Sequence, residues 1–138
     1  MMEVKLYEKK IDDCLLEYAV IISRYQNQWV FCRHKQRTTY EIPGGHREKG
    51  ESILDAAKRE LKEETGALEF KLRTLCDYSV QSKGKINYGR VFVADITLLG
   101  ELPDSEIGEV MISTKLPEKW TYPEIQKKFI EYYKIVTN

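Results

Sequence analysis

Glu60, Glu63 and Glu64 stand at i, i+3 and i+4 in a run whose apolar residues Ile53, Ala57 and Leu61 recur every four positions. On a helix that spacing brings the three carboxylates onto one face, about a turn apart. Glu60–Glu64 and Lys58–Lys62 are like-charge pairs, and only Asp55–Arg59 and Arg59–Glu63 attract at i,i+4. An exposed like-charge pair costs only about 0.2–0.5 kcal/mol. The charges alone therefore fit an ordinary solvated helix face. They also fit a rigid, oxygen-only seat for a hard divalent cation, since Mg²⁺ takes carboxylate oxygens and keeps several waters. No His/Cys cluster offers softer ligands, and no G-x-x-x-x-G-K-[ST] phosphate loop is present.

The surrounding residues read as a loop that turns into this helix. Gly44 and Gly45 follow Pro43, and Gly50 lies further along. Ser52 suits an N-cap with Asp55 three residues on. The helix is expected from Ile53 to about Thr65, with Gly66 at the left-handed stop position.

The spacing from Gly45 through Glu51 to Arg59-Glu60-Leu61-x-Glu63-Glu64-x-Gly66 resembles the signature of the Nudix hydrolases, G-x5-E-x7-R-E-U-x-E-E-x-G-U with U a large aliphatic residue. Eight of the nine set positions match, and Ala67 replaces the last aliphatic, with Leu68 next to it. The Ile42-Pro43-Gly44-Gly45 lead-in is also similar to the family. The resemblance implies Mg²⁺ as cofactor, with Mn²⁺ as a substitute, held by Glu60, Glu63 and Glu64 and by a backbone carbonyl of Gly44 or Gly45. Glu64 is implied as the central ligand. Glu51 and Arg59 are implied to hold the loop against the helix and orient the acids. A further glutamate from a distant loop joins some family members as ligand or base; Glu106 is the first choice here and Glu109 the second.

The same resemblance selects a reaction, cleavage of a nucleoside diphosphate linked to a group X. No S-Q-P-W-P-F-P run follows the motif, as it does in NADH pyrophosphatases. Ser82 and Lys83 occupy the region where ADP-ribose enzymes carry a proline, and Tyr78 and Tyr88 only flank the place of the tyrosine used for diadenosine polyphosphates. Compact length and the T-Y-E-I-P-G-G-H-R-E-K-G-E stretch are most similar to the MutT-like triphosphatases, including 8-oxo-dGTP diphosphatases. A nucleoside triphosphate cut to monophosphate and pyrophosphate, with guanine or oxidised guanine favoured, is the expectation. A nucleotide sugar, or a Nudix domain that binds a nucleotide without hydrolysing it, is the alternative.

Positions outside the motif are weighed from the residues themselves. Arg33-His34-Lys35-Gln36-Arg37 is a basic stretch just before the motif, either a solvated edge or a phosphate contact; Arg33 is the substrate-binding choice, with Gly44 and Gly45. His34 is given no catalytic role, and His46 is read as a surface side chain. Trp29, Phe31, Phe92 and Tyr40 are read as core or edge residues, and Tyr40 is singled out as the one to test for base stacking.

The whole chain bounds these readings. A single domain over residues 1–138 is large enough for a real core. Lysine plus arginine balance aspartate plus glutamate at 22 each, so neither a nucleic-acid polymer nor an anionic membrane is an expected partner. Cys14, Cys32 and Cys76 are scattered, which suits reduced thiols in a cytoplasmic protein. The N-terminus lacks an apolar targeting core. Oligomeric state is left open.

The coarse element reading supplies the frame. Leu15–Arg24 is a central strand with both faces apolar, and Trp29–Cys32 pairs with it across a turn at 25–28. Thr38–Ile42 is a short strand. Phe70–Val80 and Ile86–Leu99 form a second hairpin around Ser82–Lys85, and an acidic loop at 100–108 leads to a last strand, Glu109–Thr114. A C-terminal helix starts near Pro123 with Ile125, Phe129, Tyr132, Tyr133 and Val136 on its apolar face. This is an α/β fold, a mixed sheet with a helix on each face, and the Nudix α/β/α sandwich is of that kind.

Overall fold

The structure, a computed structural model, describes residues 2–137. Seven strands make one mixed sheet: β1 (Glu3–Tyr7), β2 (Leu16–Tyr25), β3 (Gln28–His34), β4 (Gly44–His46), β5 (Ala67–Ser82), β6 (Lys85–Leu99) and β7 (Ile107–Ser113). The order is β1-β5-β6-β2-β3-β7, with β4 joined to β2. Only β2–β6 is parallel; the other pairs are antiparallel. Helix α1 (Ile53–Thr65) follows β4, and α2 (Pro123–Thr137) ends the chain.

β2 earns its apolar composition by lying between two layers. Ala19 and Ile21 pack with Ile53, Ala56, Ala57 and Leu61 of α1. Val20 and Ile22 face the other way, onto Phe129 and Ile130 of α2. The sandwich expected from the sequence is therefore present, with one helix on each face. Among the described residues no helix is long and apolar enough to cross a membrane.

One irregularity of the sheet positions the site. β3 and β4 share the same edge of β2: Ser23–Tyr25 pair with β3, whereas Tyr18–Val20 pair with β4. Both arms of this fork contribute to the cavity described below. The fork also corrects the expected strand at 38–42. That segment makes only isolated bridges, Cys32 to Glu41 and Tyr40 to Trp120, because the glycine pair takes the pairing edge of β2 instead. A Cβ on Gly44 would lie 2.4 Å from the Ala19 carbonyl oxygen, so only glycine admits that approach.

Other details differ as well, among them β3, which runs from Gln28 to His34 and not from Trp29 to Cys32, and β7, which begins at Ile107 and not at Glu109. β1 was not expected as a strand; its alternating Val4 and Leu6 find a partner in β5, a pairing too distant in sequence for local pattern to show. β5 begins at Ala67, directly after the helix stop at Gly66, not at Phe70. Val136 is exposed, in the last turn of α2, and Ile130 takes a core position. The helix limits at Ile53 and Thr65 match expectation, with Ser52 Oγ accepting from Asp55 N at 3.0 Å and Gly66 at φ 78°.

Candidate active site

Arg59 is the hub of the loop-to-helix unit. Its Nε and Nη2 donate to Glu51 at 2.7 and 2.9 Å, a bidentate clamp, and Nη2 also donates to the His46 carbonyl at 3.2 Å. Nη1 donates to Glu60 and lies 3.6 Å from Glu63. Glu51 in turn accepts from Glu48 N at 3.0 Å. The guanidinium holds the Glu51 carboxyl down to about 2, and Glu51 raises Arg59 further above its ordinary range. One arginine thus ties the loop, β4 and two helix acids together.

Glu64 is 8% exposed and lies under the glycine pair. Gly44 N donates to its Oε1 at 2.7 Å, and the Cys32 thiol stands 4.0 Å from the same oxygen. Burial pushes its carboxyl up to about 8; the Gly44 N–H opposes the rise, and Glu60, Glu41 and Glu63 add to it. Burial also raises Glu60, against the pull of Arg59. A Cβ on Gly45 would lie 2.2 Å from Glu60 Oε2, so backbone and carboxylate are in direct apposition there.

Glu60, Glu64, Gly44 and Gly45 line a cavity of about 490 Å³ together with the largely apolar side chains of Tyr18, Ile42, Tyr78, Val80 and Phe129. Glu106 lines it as well. Glu63 leans on Arg59 with its side chain half exposed. Arg33 and Tyr40 are placed elsewhere. Arg33 donates to Glu109 at 3.3 Å and to the carbonyls of His34 and Arg37 at 3.2 and 3.0 Å. Tyr40 Oη donates to Glu109 at 2.5 Å. Glu109, held low by Tyr40 and Arg33, faces this pair and does not line the cavity. His46 is a surface residue with its ring edge on Tyr18. Trp29, Phe31 and Phe92 are core.

Sequence reasoning passed over several cavity residues. His34 stands among three carboxylates, with Nε2 3.6 Å from Glu41 and 3.8 Å from Glu64, and Nδ1 3.7 Å from Glu106. Glu41 is 6% exposed and pairs with Arg37 at 3.2 Å. Gln126, also buried, accepts from Ile42 N at 2.8 Å through Oε1 and lines the cavity beside Asn87. Gln126 had a readable signal, a polar residue on the buried face of α2 with Phe129 and Ile130. His34 had none, because its neighbours come from three separate segments.

The donor set suits a hard divalent cation: oxygens only, centred on the buried Glu64, and with more acid than Arg59 and the Gly44 N–H offset. Among the described residues no three acidic, imidazole or thiol groups already form a ligand shell; Glu60 and Glu63 both lean on Arg59.

A family model for the NUDIX domain matches residues 16–133. The chain belongs to the Nudix family. It shares 39% identity over 88 residues with "Putative 8-oxo-dGTP diphosphatase YtkD" of Bacillus subtilis (strain 168), a match covering 64% of this chain and 55% of that relative. The chain thus spans little more than half of the relative's length. A mutant of the Bacillus subtilis pyrophosphohydrolase BsRppH superposes with a TM-score of 0.81 at 28% identity, covering 97% of this chain and 89% of that one. The Nudix domain of Shewanella oneidensis NrtR, solved with ADP ribose, has the same fold, with a TM-score of 0.70 at 12% identity over 89% of this chain and 88% of its own.

Proposed function

We propose that this Nudix hydrolase cleaves a nucleoside triphosphate, with oxidised guanine the favoured base, to a nucleoside monophosphate and pyrophosphate. One observation carries the reading: a single cavity is lined by the carboxylates of Glu60 and Glu64, by the apolar side chains of Tyr18, Tyr78 and Phe129, and by the amides of Asn87 and Gln126. The 39% identity to a relative named as an 8-oxo-dGTP diphosphatase favours this substrate class.

The phosphoanhydride resists attack because its anionic oxygens repel a nucleophile, so hydrolysis requires charge neutralisation and a water held in line. Mg²⁺ or Mn²⁺, held by Glu60, Glu63, Glu64 and a glycine carbonyl, would supply charge neutralisation and Lewis-acid polarisation of the phosphoryl oxygens. Glu51 and Arg59 keep the helix acids aimed. Glu106, which lines the cavity with its side chain 88% exposed, would accept a proton from the attacking water. Tyr18, Tyr78 and Phe129 give the base an apolar seat. The Gln126 carbonyl is occupied by Ile42 N, which leaves its amide N–H groups as donors to a base oxygen.

The test is nucleoside monophosphate release from dGTP, 8-oxo-dGTP, dATP, ADP-ribose and a UDP-sugar, with Mg²⁺, with Mn²⁺ and with EDTA. Metal-dependent turnover with the highest kcat/KM on 8-oxo-dGTP is expected. Faster turnover of the UDP-sugar would replace the triphosphate reading. Nucleotide binding without any turnover would make the chain a non-catalytic module.

A further inference from the structure

We infer that a second cavity beside the reaction cavity receives the terminal phosphates of the substrate, with Lys35 and Arg37 as its cationic contacts. The inference rests on the triphosphate reading above and states what part of such a substrate this chain selects.

The second cavity, about 430 Å³, is lined by His34, Lys35, Gln36, Arg37, Ser105 and Glu106. His34, Arg37 and Glu106 also line the reaction cavity, so the two spaces share a wall. The turn after β3 builds one side. Arg37 N donates to the His34 carbonyl at 3.0 Å, and Arg33 braces the same turn through the His34 and Arg37 carbonyls. Arg33 is thereby consumed in holding the turn. The 101–106 loop builds the other side, tied by Lys35 N donating to the Glu106 carbonyl at 2.8 Å.

The cations of this wall are free to bind an anion. Among the described residues, Lys35 Nζ has an acidic neighbour only in Asp104, at 3.6 Å, and both side chains are more than half exposed. Such a surface pair is worth little and exchanges readily for a phosphate. Arg37 uses Nη1 on Glu41 and Tyr122; its Nε and Nη2 have no partner among the described residues. Glu106 is the one carboxylate in the lining, and its exposed side chain faces His34 Nδ1.

Charge says which part of the substrate belongs here. The reaction cavity holds Glu41, Glu60 and Glu64 and by itself repels phosphate oxygens. Lysine and arginine next door supply attraction where a triphosphate carries its last charges and a nucleotide sugar carries none. The subsite would hold the pyrophosphate that leaves.

The experiment compares wild type with Lys35→Glu, Lys35→Arg and, as a charge control on the exposed face of α2 that lines neither cavity, Lys128→Glu. Inorganic pyrophosphate binding is measured by calorimetry in EDTA, and KM is measured for a triphosphate and for a UDP-sugar with Mg²⁺. Loss of one charge-assisted contact predicts about tenfold weaker pyrophosphate binding and a similar rise in triphosphate KM for Lys35→Glu. The UDP-sugar KM should stay within about twofold, Lys35→Arg should restore both readouts, and Lys128→Glu should move neither. An equal KM rise on both substrates, or unchanged pyrophosphate binding, would overturn the subsite. If wild type turns over no triphosphate yet loses pyrophosphate affinity in Lys35→Glu, the anion site stands and the reaction reading fails.

Discussion

The molecule contains two buried charge clusters that solve opposite problems. Around Asp77 every group is matched. Arg90 donates to both Asp77 oxygens at 2.6 and 3.0 Å and reaches Asp13 at 3.1 Å, and Ile11 N donates to Asp77 at 2.7 Å. That cluster fastens the 11–13 segment to β5 and β6. Around Glu64 the acids outnumber their partners: Glu41 and Glu60 crowd it, and among the described residues its only strong donor is a backbone N–H. A matched cluster is complete in the folded chain. An over-acidic one is stabilised by a proton or a cation, and the proposed reaction draws on that surplus.

Substitutions separate the two clusters. The largest effect should come from Asp77→Ala, which strands Arg90 in the core and should cost about 3–5 kcal/mol of stability by urea unfolding. The remaining folded protein should keep near-normal kcat. Glu64→Gln should do the reverse: turnover should fall more than about a hundredfold, beyond the loss usual for groups that only support a metal ligand, while the fold persists. Retained activity there would break the contrast.

Glu64 also carries a pH signature. Its carboxyl moves from 4.5 to about 8 on folding, so between those values the folded state holds a proton that the unfolded chain has released. Stability from this source is complete below about pH 4.5 and is lost as pH rises through about 8. Metal-free wild type should therefore lose Tm across that window, and Glu64→Gln should lose less. Glu51→Gln, which weakens the clamp on Arg59, should lower kcat about 10–100-fold with a smaller change in Tm. The smallest effect should be Ser52→Ala, about 1 kcal/mol of stability from the lost helix cap, with kcat unchanged. A large activity loss in that variant would show that the helix start, and not the acids alone, tunes the site.

The legibility of the two clusters in the sequence differs for a related reason. Glu51, Arg59, Glu60 and Glu64 lie within fourteen residues, and helical periodicity carries three of them to one place. Asp77 and Arg90 face each other across a hairpin, and their partners Ile11 and Asp13 come from a segment outside every element expected from the sequence. Arg33 shows the limit from the other side. Its basic neighbourhood was visible, but which of the basic residues stays free depends on Glu109 and on the carbonyls of a turn.

What the amino-acid order determined by itself is the local machinery: a capped helix from Ile53 to Thr65, its apolar stripe, its acids on one face and the glycine pair before it. Backbone geometry over a few residues is enough to produce these. Only the tertiary structure decided that β4 displaces the expected strand at 38–42 from the edge of β2, that His34 and Glu41 join the acids, and that Gln126 faces the same cavity. Those outcomes depend on which distant segments compete for one sheet edge and one buried volume, and hydrogen bonding and packing settle that competition across the whole chain.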